Sequence, residues 1–402
     1  MFNPHQIMLL RENIAATPDI GQFHGKPLAR MVLSVGTDEP ALCAEGTAQV
    51  GKMYPPAAVF GTPIEPKCLN GVGTFDLPLK RPLVQVVNDG MCVGNEAVVT
   101  PTGALYAPNY VCTDTMMLRF IEGNATNHHG FLATKHDDRI EAIFAAPFCS
   151  TRIEATALFL HNLESGNYGS FIIRQLPQIL LAKQSGISFD CYVVPDRTPW
   201  LMAALRESCM PDLPIYALRE VSGRSFKRIL MPGTFDDEGF ISENVLSLYR
   251  DMVAGAEAAP SMANDKIYVS RSLSSSFRPD YRVLVNEPEI EYMARSAGYS
   301  IVHPETLSFQ QQIAAFSRAR RIFGPSGSGM TNIAFASPES KVVDLESFTH
   351  NVRQHAKLYA SSGKTYAFGF GETVPGDDRP LFLRSWTVSK SVIEDVFEWL
   401  AA

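Results

Sequence analysis

Arg320–Glu346, RRIFGPSGSGMTNIAFASPESKVVDLE, decides the fold of this chain. The stretch reads as strand, glycine turn, short helix and strand. Ile322 and Phe323 are apolar and bounded by turn residues, as a buried strand is. Gly324, Gly327 and Gly329 let the backbone turn sharply and let a ligand come close to it. The pattern then predicts a helix over Thr331–Ala336 and a second buried strand over Lys341–Glu346. A glycine turn feeding a helix N-terminus offers free N–H groups and a positive dipole end, which suits a phosphate. A tight strand-to-helix turn without a ligand uses the same residues. Two phosphate-binding motifs fail here. Gly324 and Gly329 have P-loop spacing, but Met330 stands in the lysine position, so nothing there holds β- and γ-phosphates. Gly327-Ser328-Gly329 is followed by Met330, Thr331 and Asn332, which breaks the dinucleotide fingerprint GxGxxG. An NTPase and an ordinary nicotinamide enzyme are both disfavoured.

Outward from this stretch, strands and helices alternate. On its N-terminal side the pattern predicts a connecting helix over Glu243–Ala258, a strand at Lys266–Ser270 and a helix at Glu287–Ser296 with Asn286 as cap. A strand at Ser300–Val302 and a helix at Phe309–Ala319, capped by Ser308, lead into it. On its C-terminal side come helices at Val352–Ser361 and Ser389–Leu400 around a strand at Tyr366–Phe370. A second alternating block precedes these: strand Ala155–Leu160, helix Gly169–Lys183, strand Asp190–Val194, helix Pro199–Cys209, then strands Ile215–Leu218 and Arg228–Met231. Pro177 implies a kink or break near Gln175. Such alternation argues for parallel sheets covered by helices. Before residue 151, short runs such as Pro82–Asn88, Glu96–Thr100 and Ala104–Ala107 read as strands, with Gly90 and Gly103 at hairpin corners. The expected organisation is a β-rich accessory region over 1–150, a first α/β lobe over 151–240 and a second over 241–402, its last helix free to pack back on the first lobe. A cleft between two lobes is then the natural place for a site.

The totals bound the function. At 402 residues, 46% hydrophobic and 19% charged, the chain has the composition of a soluble globular protein with sizeable cores. A net charge of −7 argues against non-specific binding to nucleic acid or anionic membrane, so local basic groups must handle any phosphate. No apolar run approaches the ~18 residues of a membrane span. The start lacks a basic segment followed by an apolar core, so no signal peptide is expected. Seven scattered cysteines without a CxxC pair fit reduced thiols in a cytoplasm. His128-His129 and His136-Asp137-Asp138 have no metal-ligand spacing and read as a solvated loop, and His350 and His355 read as surface histidines.

The chemistry gathers in the second lobe. Ligands of open α/β sheets bind outside the carboxyl ends of the strands. Arg271 and Ser326–Gly329 both fall there, and an arginine can fork two N–H groups onto one phosphate. Asp344 and Glu346 end a strand on the same side, where carboxylates receive ribose or sugar hydroxyls. Asn286 and Glu287 suit the start of a helix.

Taken together, Tyr268-Val-Ser-Arg271, Arg282-x-x-x-Asn286-Glu287, Glu305-Thr-Leu-Ser-Phe-x-x-Gln312, Gly324-Pro-x-Gly-x-Gly-x-x-Asn332 and Lys341-Val-Val-Asp344 resemble the glycosyltransferase family 61 domain of bacterial capsular-polysaccharide proteins and eukaryotic xylosyl- and N-acetylglucosaminyltransferases. The resemblance covers about 265–346, and more weakly about 155–185 through Asn167-Tyr168-Gly-Ser-Phe171 and Leu176-Pro177. It implies a GT-B fold of two facing Rossmann-like lobes and inverting, metal-independent transfer from a nucleotide-sugar donor, which is a co-substrate rather than a cofactor. Arg271, Arg282, Asn286, Glu287, Gly324, Ser326, Gly327, Ser328, Gly329, Asn332, Asp344 and Glu346 would form the donor site, with no metal ligand. A glycan or glycoconjugate would accept the sugar, in bacterial surface polysaccharide synthesis, in the cytoplasm or at the inner face of the membrane. The chain departs from the family where Ser326 replaces histidine, and where Ser170, Phe171, Arg174 and Gln178 replace a His-Trp…Glu…Leu-Pro-Arg pattern. Inverting transfer needs a base or strong leaving-group stabilisation. Glu164 is the candidate base, and Arg174 a further positive charge. The competing class is a non-catalytic nucleotide-sugar or glycan binding scaffold of the same shape.

Overall fold

The computed structural model describes residues 7–10, 28–35, 41–45, 50–63, 66–70, 72–79, 83–93, 97–99, 104–106, 131–135, 140–145, 152–161, 166–207, 212–221, 224–233, 239–256, 265–347 and 352–402. They fall into two compact units. One comprises Met1–Thr47, Arg81–Met202 and Met210–Thr234; the other comprises Ala48–Lys80, Ala203–Cys209 and Phe235–Ala402. Each unit is α/β and built on a parallel sheet.

In the first unit, β1 (Arg152–Phe159), β2 (Cys191–Val194), β3 (Ile215–Ala217) and β4 (Ser225–Pro232) run parallel in the order β3-β2-β1-β4. Leu83–Asn88 extends the sheet antiparallel beyond β4, and Ala41–Glu45 pairs antiparallel beyond that. Ala157, Phe159, Val193, Phe226, Ile229 and Met231 build its core. The Asp89-Gly90 turn does not close a hairpin, contrary to its sequence signature. Asp89 N donates to Lys227 O and Phe226 N donates to Gly90 O, so the turn prolongs the pairing with β4. The chain then passes to a second sheet, in which Met91–Val93 pairs with Ala97–Val99. Gly103 lies outside the described residues.

The break expected near Gln175 takes the form of a π-helical turn. A helical turn at Tyr168–Ser170 passes into π geometry over Phe171–Gln175, where Leu176 N donates to Phe171 O, and α1 (Leu176–Gln184) continues. Pro177 has no N–H to give the ladder, so the helix changes its hydrogen-bond period just before it. Phe171 is buried against Trp200, and Gln178 Nε2 donates to His161 O at 2.8 Å. These two departures from the family pattern are therefore interior groups. Arg174 Nη1 reaches Ser170 Oγ at 3.4 Å.

The second unit carries α2 (Glu243–Ala256), β5 (Lys266–Val269), α3 (Ser272–Phe277), α4 (Glu287–Ser296), β6 (Ser300–Val302), α5 (Phe309–Arg318), β7 (Arg321–Pro325), β8 (Lys341–Glu346), α6 (Val352–Ser361), β9 (Thr365–Phe370) and α7 (Lys390–Ala401). Its sheet order is β6-β5-β7-β8-β9, all parallel, with Ala58–Phe60 added parallel to β9. Apolar runs make β5 and β7 strands buried on both faces, and β8 is equally buried although Asp344 and Glu346 interrupt its apolar residues. Tyr268, Phe323, Val343, Leu345 and Trp386 form the core, closed by Val392, Ile393, Val396 and Leu400 of α7. Those four side chains recur on one helix face, and each contributes about 1.5–3 kcal/mol when fully buried. Ser308 starts α5 as expected: its hydroxyl accepts from Gln311 N, and Gln311 Oε1 accepts from Ser308 N. No helix among the described residues is long and apolar enough to cross a membrane.

Candidate functional site

Strand order places the site. In the sheet β6-β5-β7-β8-β9 the direction of winding reverses between β5 and β7, and crevices outside the carboxyl ends of such strands are where doubly wound sheets bind ligands. Arg271 leaves β5 at this point and Ser326–Gly329 leaves β7. The two strands are close: a Cβ on Gly324 would lie 2.4 Å from Val269 O, so only glycine fits. A Cβ on Gly327 would meet the Arg271 guanidinium at 3.4 Å. The glycine turn is thus packed against the arginine.

The helix after the turn differs from the expected one. It is a 3₁₀ helix over Ser328–Phe335, starting before Thr331. Thr331 Oγ1 donates to Ser328 O at 2.6 Å and Asn332 Nδ2 to Gly329 O at 3.2 Å. Side-chain bonds to these carbonyls compete with α-helical pairing and favour the tighter turn. Asn332 also donates to Gln312 Oε1 at 2.9 Å, which ties the turn to α5.

Two guanidinium groups converge on one carbonyl. Arg271 Nη1 donates to Ser326 O at 2.9 Å, and Arg282 Nη2 donates to the same oxygen at 3.0 Å. Arg271 is half-buried and its guanidinium lies 5.9 Å from the Tyr281 ring centroid. Arg282 is 2% exposed and takes a φ of 49°, a left-handed conformation that costs energy in any residue but glycine. Its surroundings hold it there: Arg282 N donates to Leu383 O, and Trp386 Nε1 donates to Arg282 O. Arg282 Nε is buried without a hydrogen-bond partner, and Glu346 Oε2 lies 3.9 Å from Nη2. Burial and the charge of Arg282 both act against the charge on Arg271. Adjacent like charges with an unused donor are relieved by an anion, and a diphosphate fits two such forks.

The carboxylates sit deeper than the strand-end position implied. Asp344 and Glu346 are both fully buried. Asp344 Oδ2 lies 2.5 Å from His355 Nδ1 and accepts from Tyr359 Oη at 3.1 Å. His355 is buried on α6, not a surface histidine, because α6 turns that face to the sheet. Ser326 Oγ lies 3.5 Å from the same imidazole nitrogen. Burial opposes a charged His355, but the Asp344 carboxylate beside it raises its pKa above the ordinary value. Burial first, and the Asp344 charge second, push Glu346 up to about 7 against the pull of Arg282. Asp344, Glu346 and His355 each bring one ligand atom within 4.8 Å of the others, the one such group among the described residues.

Asn286 and Glu287 support the site from below. Glu287 Oε1 accepts from Arg271 N at 2.7 Å, Ser270 Oγ at 3.1 Å and Tyr268 Oη at 3.2 Å, so it fixes the loop that aims Arg271. Asn286 occupies the cap position of α4 without a capping bond. Its amide is spent on Val388, donating to the carbonyl at 2.8 Å and accepting from the N–H at 3.2 Å. Glu164, His128, His129, His136, Asp137, Asp138 and His350 lie outside the described residues. Sequence reasoning missed Tyr359 and Tyr281. The spacing of His355 and Tyr359, four apart on one helix face, was a usable signal for the first.

The family model described as Glycosyltransferase 61 matches residues 168–343. That span holds β5, β7, Arg271, Arg282 and the glycine turn, and the match supports a glycosyltransferase. No curated protein matches the chain.

Proposed function

We propose that the chain is an inverting glycosyltransferase of the GT-B type that moves a sugar from a nucleotide-sugar donor to a glycan or glycoconjugate. The observation that carries this is the convergence of Arg271 and Arg282 on Ser326 O at 2.9 and 3.0 Å, at the winding reversal of a parallel sheet. The donor's diphosphate lies against these guanidiniums and the Ser326–Gly329 backbone. As the glycosidic bond breaks, negative charge grows on the leaving diphosphate, and two fixed cations stabilise it without reorganising. This supply of positive charge favours a metal-independent reaction. Asp344, Glu346 and His355 are poorly suited to a cation, because Arg282 stands 3.9 Å from Glu346 and the Asp344 carboxylate is already engaged by His355 and Tyr359. Glu164 is the proposed base for the acceptor hydroxyl. Bacterial surface polysaccharide synthesis on the cytoplasmic side of the membrane is the setting that fits the family resemblance.

The test is to incubate the whole protein with a panel of nucleotide sugars, with and without oligosaccharide acceptors, and to follow nucleotide release. Release from one donor, increased by an acceptor, is the expected result. Failure of every donor to bind ends the enzyme assignment. Binding without turnover, acceptors included, leaves the scaffold class instead.

A further inference from the structure

Beside the two arginines lies an open cavity of about 410 Å³ lined by Phe277, Arg278, Pro279, Asp280, Tyr281 and Leu383. Its volume falls within the ~300–1,000 Å³ typical of small-molecule sites. Phe277 is 82% exposed and Tyr281 39% exposed, so two aromatic rings face solvent within five residues of chain. Neither ring belongs to the apolar core cluster around Tyr268, Phe323 and Trp386. Tyr281 joins the cavity to the arginine pair, since its ring stands 5.9 Å from the Arg271 guanidinium. The left-handed backbone at Arg282 separates the two neighbours: Arg282 turns inward to Ser326 O, and Tyr281 stays on the outside with Arg271.

The walls are fixed to one another. Arg379 Nη1 donates to Asp280 O at 2.8 Å, and Arg282 N donates to Leu383 O at 3.1 Å. Arg379 is itself clamped by Asp377, whose Oδ2 also accepts from Ser385 N at 2.9 Å. These bonds tie the 277–282 and 377–385 segments into one frame.

We propose that this cavity receives the nucleobase of a nucleoside diphosphate, stacked on the Tyr281 and Phe277 rings, with the diphosphate on Arg271 and Arg282. Flat aromatic rings next to a phosphate-binding guanidinium are what a nucleotide needs, with stacking for the base and charge for the phosphates. Arg278 and Asp280 supply a donor and an acceptor at the rim for the edge of the base. The assignment depends on the glycine turn being a donor site and adds the position of the base.

The experiment is calorimetric titration of the whole protein with UDP, CDP, GDP and ADP and with inorganic pyrophosphate. Wild type, Phe277→Ala, Tyr281→Ala and Tyr281→Phe are compared. At least one nucleoside diphosphate binds about tenfold or more tightly than pyrophosphate. Phe277→Ala and Tyr281→Ala each weaken that nucleotide about fivefold or more and leave pyrophosphate within about twofold. Tyr281→Phe keeps the ring and stays near wild type. Phe277 is so exposed that its loss leaves folding intact. Pyrophosphate binding as tightly as every nucleotide, or nucleotide affinity untouched by both alanine variants, overturns the base assignment and leaves the diphosphate site standing. Binding of neither pyrophosphate nor any nucleotide removes the donor site itself.

Discussion

Replacing Arg271 by alanine removes one of the two guanidiniums that meet at Ser326 O, and the structure sets the size of the effect. In the free protein the side chain makes one hydrogen bond to that carbonyl, at 2.9 Å, and packs on the Tyr281 ring. The side chain is half-buried and Arg282 keeps its own bond to the carbonyl, so the stability cost is about 1 kcal/mol. The loop is not released, because Glu287 holds it through the backbone N–H of Arg271 at 2.7 Å. In a complex the lost interaction is a charge-assisted bond to phosphate, about 1.5–3 kcal/mol, or roughly 10- to 150-fold in affinity. Removing Arg271 also relieves its repulsion with Arg282, which favours the lower end. A loss of about tenfold in nucleoside diphosphate affinity is therefore expected. Arg271→Lys falls between the two, since it keeps the charge and loses the fork. Titration calorimetry at two salt concentrations measures both variants, and the wild-type advantage shrinks at the higher salt. An Arg271→Ala affinity within about twofold of wild type would refute the assignment of Arg271 to the site.

Three further outcomes are expected, two from the geometry and one from the proposed role of Glu164. Glu346 is raised to about 7 and His355 is raised as well, so the folded chain binds these protons more tightly than the unfolded chain. Glu346 then contributes fully below about pH 4.5 and loses that contribution as pH rises through about 7, on the order of 3 kcal/mol. Urea midpoints measured from pH 5 to 8 should fall for wild type and fall less for Glu346→Gln; equal slopes contradict the buried proton. In Gly324→Ala the new methyl would sit 2.4 Å from Val269 O, and overpacking of backbone costs about 1–3 kcal/mol. A melting temperature unchanged by that substitution shows that β5 and β7 are not held so close. Glu164→Gln should leave donor affinity within about twofold and slow transfer by about a hundredfold or more, read from kcat and Kd separately. A weakened Kd with normal turnover assigns it to binding instead.

The parallel strands were legible because their signal is local. β5 and the Val342-Val343 start of β8 are short apolar runs, and any environment that buries them makes them strands. Pro177 announced its break because a missing N–H acts at its own position. What was not legible depends on partners distant in sequence. Asn286 looks like a cap until Val388, 102 residues on, takes both ends of its amide. His355 looks like a surface histidine until α6 lays it 2.5 Å from Asp344. The glycine turn was readable as a tight strand-to-helix turn, and the family resemblance put Arg282 with it, but the bond from Arg282 to Ser326 O was not legible. That depends on a left-handed residue held by Leu383 and Trp386, about 100 positions away. Tyr281 carried no pattern at all, and its ring is placed only by its contact with Arg271 in the fold.

The proposed function rests on a diphosphate held between Arg271, Arg282 and the Ser326–Gly329 backbone. A crystal structure of the protein with a nucleoside diphosphate that binds in solution tests it most directly. The expected result is phosphate oxygens within hydrogen-bond distance of both guanidiniums, outside the ends of β5 and β7. A nucleotide bound elsewhere on the chain, with Arg271 and Arg282 still turned only to Ser326 O, would contradict it.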